Sequence, residues 1–193
     1  GEDMAYTTLT EVKSYLGIGT TTDDTLLAAL IVRAQKIIDI DRNRTFEART
    51  ETHYYRYKDT HGDTLYIMDD DLLTVTTLTN GDAAGSVITS GYYWLLPRNA
   101  SPKYAIQLKS SKYWQQDTDY EIGVAGTWGY TAAAPADIAQ ACVRLTAYLY
   151  RNKDSQVFDV TATPELGIMT IPKGMPVDVR LILDRYPYRG GLA

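Results

Sequence analysis

Two histidines, His53 and His61, one cysteine, Cys142, and the run Asp69-Asp70-Asp71 are the residues of this 193-residue chain best suited to ligate a metal or move a proton. None falls in a pattern that such chemistry requires. A calcium loop needs alternating oxygen ligands, a glycine turn and a distal bidentate acid. Three adjacent aspartates diverge along an extended chain instead, so residues 69–71 read as a solvated loop. Two histidines are too few for a zinc centre, or for a Ser-His or Cys-His nucleophile, unless carboxylates stand in. Asp119 and Glu121 fall on the outward face of a strand, and nothing near them in sequence would make one an acid and the other a base. No glycine-rich phosphate loop is present. Cys142 lies among Ile138, Ala141 and Leu145 at helical spacing, where a free cysteine acts as a small buried apolar group. The expectation is a non-enzymatic protein with no catalytic, cofactor-binding or metal-binding residue.

Binding chemistry offers more. Sixteen tyrosines and three tryptophans raise the prospect of stacking on sugar rings, with Tyr92, Tyr93 and Trp94 as the platform. Aromatics also fit the pleated, half-buried surface of a strand and are enriched at subunit interfaces, which accounts for most of them. The net charge of −5 gives no global basic footprint for gripping a phosphate backbone. Arg42 and Arg44 close a long helix, where arginine satisfies free carbonyls. Arg180, Arg185 and Arg189 instead interleave with Tyr186 and Tyr188 near the end of the chain. Exposed arginines and aromatics together are typical of a partner surface. No segment approaches the run of about 18 apolar residues that spans a bilayer, so a membrane is not expected as a partner.

The elements that must position these residues are legible from period and punctuation. Thr8 and Glu11 form a capping box, Leu9, Val12 and Leu16 make a stripe, and Gly17 ends the helix. Asp23 and Asp24 then sit at the positive end of a second helix. Leu26, Leu27, Leu30, Ile31, Ala34, Ile37 and Ile38 line one face of it. From about Thr50 the period becomes 2. Tyr55 and Tyr57, Leu65 and Ile67, Leu73 and Val75, 92–96, 104–108 and the alternation from Tyr120 to Tyr130 give six or seven short strands, with Asn80-Gly81 as a hairpin turn. Helical spacing returns after Pro135 with Ile138, Ala141, Cys142, Leu145, Tyr148 and Leu149. An extended stretch follows, with an apolar strand at Ile168–Ile171, and Pro176 opens a short last helix through Asp184. The fold class expected is α+β: a core of two longer helices plus short N- and C-terminal helices, carrying an inserted antiparallel β sheet or small barrel. The parts run 1–48 (helical), 49–131 (β insertion), 132–153 (core helix) and 154–193 (C-terminal arm).

Four places in this order resemble the head–tail connector, or adaptor, family of long-tailed double-stranded DNA phages. They are Leu9 to Gly17; Asp23-Asp24-Thr25-Leu26-Leu27 through Asn43-Arg44-Thr45-Phe46; Gly126-Thr127-Trp128-Gly129-Tyr130 with Pro135-Ala136-Asp137-Ile138 and Ala141; and Ile171-Pro172, Val179, Leu181-Ile182-Leu183 and Tyr188-Arg189. The β segment is longer than in compact members of that family. The resemblance implies a structural virion protein, made in the host cytoplasm and seated in the neck between capsid vertex and tail. It would form a homo-oligomeric ring of twelve copies beneath the portal protein, extend the DNA channel and dock the next neck or tail-completion protein. Portal binding is then expected of the arm: Ile168, Ile171, Val179, Ile182, Leu183, Arg185, Tyr186, Tyr188 and Arg189. Asp69, Asp70 and Asp71 are expected to face the channel, letting genomic DNA pass by repulsion without tight binding. The competing expectation is a β-rich virion module that recognises glycan or another surface protein.

Overall fold

The computed structural model describes residues 5–116, 119–153 and 175–187. The described residues divide into two compact units, one within 43–134 and the other made of 5–42 with 135–153 and 175–187. The first interrupts the second in sequence. The fold is α+β, as expected.

The helical unit contains α1 (Leu9–Leu16), α2 (Asp24–Arg42), α3 (Ala136–Arg151) and α4 (Val177–Leu183). The capping box of α1 is present: Thr8 Oγ1 accepts from the Glu11 amide at 3.2 Å, and the Glu11 carboxylate accepts from the Thr8 amide at 2.8 Å. Gly17 ends α1 at φ +72°, a conformation that costs glycine little. The aspartate pair before α2 does more than complement the helix dipole. The Asp23 carboxylate takes the Tyr150 hydroxyl of α3, while Asp24 pairs with Lys13 of α1 at 2.6 Å. Two adjacent acids thus tie the start of α2 to two different helices.

Leu27, Leu30, Ile31, Ala34 and Ile38 form the buried face of α2, whereas Leu26, expected on it, is exposed. The stripe predicted for α3 is buried at Ile138, Ala141, Cys142 and Leu145, and Val143, Thr146 and Ala147 are buried as well. The extra buried positions follow from crowding, since α1, α2 and α4 all pack against α3. One stripe cannot face three neighbours. Burial pushes the Cys142 thiol up to about 12, consistent with an inert core cysteine.

The β unit contains β1 (Arg49–Tyr55), β2 (Thr60–His61), β3 (Thr64–Tyr66), β4 (Leu72–Leu78), β5 (Tyr93–Leu96), β6 (Ala105–Leu108) and β7 (Ile122–Trp128). They form two sheets in the orders β1-β7-β4 and β2-β3-β6-β5, with every pairing antiparallel. One core joins the sheets, built on Tyr55, Leu65, Leu72, Leu78, Ile106, Leu108, Ile122, Val124 and Trp128. Three details differ from the expectation. Tyr57 lies in a short 3₁₀ turn beyond β1 rather than in the strand. Leu73 and Val75 are only half-buried, because register shifts in β4 bring Leu72 and Leu78 to the core. Asn80-Gly81 is not the hairpin turn. Asn80 is buried, donates to the Tyr113 carbonyl and accepts from the Gln115 amide. The chain reverses later, at Asp82–Gly85, where Gly85 has φ +60° and the Asp82 carboxylate accepts from the Ser86 amide.

The glycines of the Gly126-to-Tyr130 motif have a steric reason. A Cβ on Gly126 would lie 2.0 Å from the Thr74 carbonyl oxygen of β4. At Gly129, whose φ is +132°, a Cβ would meet the Glu47 carbonyl oxygen at 2.3 Å. Central strand β7 approaches β4 too closely for a side chain at Gly126, and the chain just past β7 runs too close to Glu47 and Ala48 for one at Gly129.

Candidate functional site

The densest polar constellation is built on one face of β1. Arg49, Glu51, His53 and Tyr55 alternate along the strand and so project to the same side. The loop at 69–71 meets them. Arg49 Nε pairs with Glu51 at 3.0 Å, and its Nη2 with Asp70. His53 Nδ1 lies 2.6 Å from Asp69, His53 Nε2 lies 3.2 Å from Glu51, and the Tyr55 hydroxyl donates to Asp69 at 2.7 Å. The imidazole stacks on the Trp128 indole at 3.8 Å between centroids. Beside this network Arg44 pairs with Asp71 at 2.8 Å, both side chains being more than nine-tenths buried.

These neighbours set the acidities. Burial raises the Asp69 carboxyl, but hydrogen bonds from Tyr55 and His53 outweigh it and hold the group below the ordinary carboxylate range. Burial likewise raises Glu51, and hydrogen bonds from His53 and Arg49 more than reverse it. One ligand atom each from Glu51, His53 and Asp70 fall within 4.8 Å of one another, a spacing that a metal ion could use. The Arg49 guanidinium already lies on both acids, however. The arrangement is an ion-pair network that fastens the loop to the sheet.

This geometry corrects the solvated-loop expectation. Asp70 and Asp71 are 7% and 4% exposed and ion-paired, so neither presents a free carboxylate to a channel. Asp69 alone of the three is exposed. Burial of Asp70 and Asp71 is tolerable because each faces an arginine. The arginines are redefined too. Arg44 serves Asp71 rather than its helix, and Arg42 donates to the carbonyls of Leu183 and Tyr186, each at 3.2 Å, at the end of α4. Arginine does satisfy free helix carbonyls here, but those of another helix.

The C-terminal residues expected to meet a portal are divided. Ile168, Ile171, Tyr188 and Arg189 lie outside the described residues. Val179 and Leu183 are fully buried in the helical unit, which corrects their assignment to a partner surface. The physical reason is that α3 offers them an apolar face within the same chain. Arg144 with Asp178 at 2.6 Å, and the Tyr186 hydroxyl donating to Asp137 at 2.6 Å, lock that packing. Ile182 and Tyr186 are half-buried and Arg185 is exposed. The outward face of α4 instead carries Val177 and Leu181, 72% and 63% exposed. The spacing held the signal: 177 and 181 share one side of a helix and 179 and 183 the other.

The aromatic platform is likewise split. Tyr93 is buried in the core, while Tyr92 and Trp94 are exposed. Their rings are accompanied by cations, Arg98 and Lys109 at Trp94 and Lys112 at Tyr92.

Solved structures share this fold. A chain in the neck of an empty gene transfer agent (GTA) particle, computed with C6 symmetry, matches with a TM-score of 0.63 at 20% identity over 93% of this chain and 88% of that one. A chain in the neck of the native GTA particle, computed with C12 symmetry, gives 0.62 at 19% identity over 93% and 87%. One in the virion of the native GTA particle gives 0.62 at 22% over 93% and 88%. At these identities the likeness is one of fold. No curated protein matches the chain. The model of the family described as head completion protein matches residues 5–189, nearly the full length, and the chain belongs to that family.

Proposed function

We propose that this protein is a structural part of a virion neck, a head–tail connector that completes the head as a ring beneath the portal. The match to the head completion family over residues 5–189 carries the reading. The shared fold with chains of a GTA neck, in particles computed with C6 and C12 symmetry, supports a cyclic assembly of twelve copies. Such a ring closes when one face of each subunit meets a different face of the next. Its product is a sealed, aligned joint that extends the DNA channel and offers a platform to the next neck or tail component. The ion-pair network suits that task, since it stiffens the β unit.

The portal-facing surface in this reading is the outward side of α4, with Val177, Leu181, Ile182 and Arg185. Exposed apolar side chains rimmed by charge mark protein interaction sites. A double substitution, Val177→Asp with Leu181→Asp, should leave the melting temperature unchanged and abolish joining to portal-bearing heads. Unimpaired joining would move the portal contact elsewhere on the molecule.

A further inference from the structure

The stretch 83–116 contains no aspartate or glutamate, although acids occur about once in every eight residues of the whole chain. It contains Arg98, Lys103, Lys109 and Lys112. A net-negative protein therefore concentrates positive charge in one part of its β unit. The fold gathers it further. Tyr93 points into the core, so Trp94, its neighbour in β5, falls on the outer face of that edge strand, and Tyr92 is exposed at the end of the short 3₁₀ turn just before it. The Arg98 guanidinium lies 5.1 Å and the Lys109 ammonium 5.4 Å from the centre of the Trp94 ring, and the Lys112 ammonium 4.8 Å from that of Tyr92.

The four cations divide by role. Lys103 donates to the carbonyls of Pro97 and Ala100 at 2.7 and 2.6 Å and so holds together the loop that carries Arg98. Among the described residues, Arg98, Lys109 and Lys112 pair with no carboxylate. Lys109 is positioned by the Gly91 carbonyl at 2.6 Å. Contact with an aromatic ring restrains a long cationic side chain before any partner arrives, which reduces the ordering cost of binding. Those cations also compete for the ring faces, which disfavours stacking of a sugar or an unpaired base. The same face carries one acid, Asp63, whose carboxylate accepts from Gln107, the cross-strand partner of Trp94, at 3.1 Å. What remains is an open face with an excess of positive charge suited to an extended polyanion. Duplex DNA presents about one charge per 1.7 Å of axis, and any other copy of this chain carries a net charge of −5 spread over its whole surface.

We infer that Tyr92, Trp94, Arg98, Lys109 and Lys112 form a contact for the phosphate backbone of duplex DNA. The inference rests on the proposed neck role, which brings the genome past every subunit, and it assigns the contact to this face instead of an acidic loop at 69–71. Three cations make a weak, sequence-independent contact that holds passing DNA without arresting it.

Fluorescence polarisation of a short labelled duplex with the full chain, titrated between about 50 and 200 mM salt, tests this. Three phosphate contacts predict a slope of log affinity against log salt of about −2.7. The variant Arg98→Gln, Lys109→Gln, Lys112→Gln should lose most of that slope and bind at least about tenfold more weakly at the low-salt end, with its melting temperature and its joining to portal-bearing heads unchanged. Binding by the variant equal to wild type, or no salt-sensitive binding by wild type, overturns the assignment. So does a variant that fails to join heads while binding DNA normally, because the face is then a protein contact. If the wild-type chain itself does not join heads but the variant loses DNA binding, the neck role falls and the assignment of the face stands.

Discussion

The helical and β units solve the same problem, holding a chain in one conformation, by different means. In the helical unit α3 is the hub, and apolar burial carries the load through Leu27, Ile31, Leu145, Val179 and Leu183, with acids used as short ties at Asp23 and Asp24. In the β unit an apolar core between two sheets is joined by a buried polar layer, Arg44 with Asp71 and Arg49 with Asp70. Apolar burial is non-directional and accepts some repacking, whereas buried charges must be paired or they destabilise strongly. The β unit should therefore respond to loss of a single charged partner about as the helical unit responds to loss of a whole apolar side chain.

The largest effect is expected from Asp71→Ala. It leaves the Arg44 guanidinium buried without its carboxylate and should cost about 3–5 kcal/mol. Replacing Arg44 and Asp71 together by apolar residues of similar volume should recover much of that loss. Chemical denaturation followed by tryptophan fluorescence measures both, and equal destabilisation by the single and double variants would show that the pair is not the cause. Leu145→Ala comes next, at about 2–5 kcal/mol, as usual for truncation of a buried leucine. A change below about 1 kcal/mol at this site would mean that α3 is not the hub of its unit.

Smaller effects sharpen the contrast at the edges of the units. Thr8→Ala removes the side-chain half of the α1 capping box and should cost about 1 kcal/mol, with loss of protection in amide exchange confined to the first turn of α1. Acid should loosen the β unit through Asp69 and Glu51. Both carboxyls are held below their ordinary range in the folded protein. Their contribution to stability is thus present above the unfolded carboxyl range, near pH 4, and is lost as pH falls through the lower folded values. Asp69→Asn should flatten that acid limb of the stability curve. A variant whose acid limb coincides with that of wild type would remove Asp69 from the account.

The same contrast explains what was legible in the sequence. The helical elements were readable because their determinants are local: Thr8 and Glu11 are three residues apart, Gly17 follows its helix directly, and the stripes repeat every three or four positions. The count and rough placement of the strands followed from period 2. Asn80-Gly81 misled because a turn-favouring pair was recruited to bridge Tyr113 and Gln115, more than thirty residues away. Asp70 and Asp71 misled for the same reason, since the arginines that bury them lie 21 and 27 positions earlier. For α4 the period was visible, but which of its two faces turned inward depended on α3. The acid-free stretch at 83–116 was open to inspection in the sequence. Its meaning came only when the fold placed Arg98, Lys109 and Lys112 beside two outward-facing rings.

In the proposed role this chain becomes a ring on a portal. Sedimentation velocity of the chain alone, of portal alone and of their mixture tests it directly. The account predicts a new, faster boundary in the mixture containing both proteins at one connector copy per portal subunit, which the Val177→Asp, Leu181→Asp variant does not form. Independent sedimentation of the two wild-type proteins, at concentrations well above those that fill a portal, would contradict it.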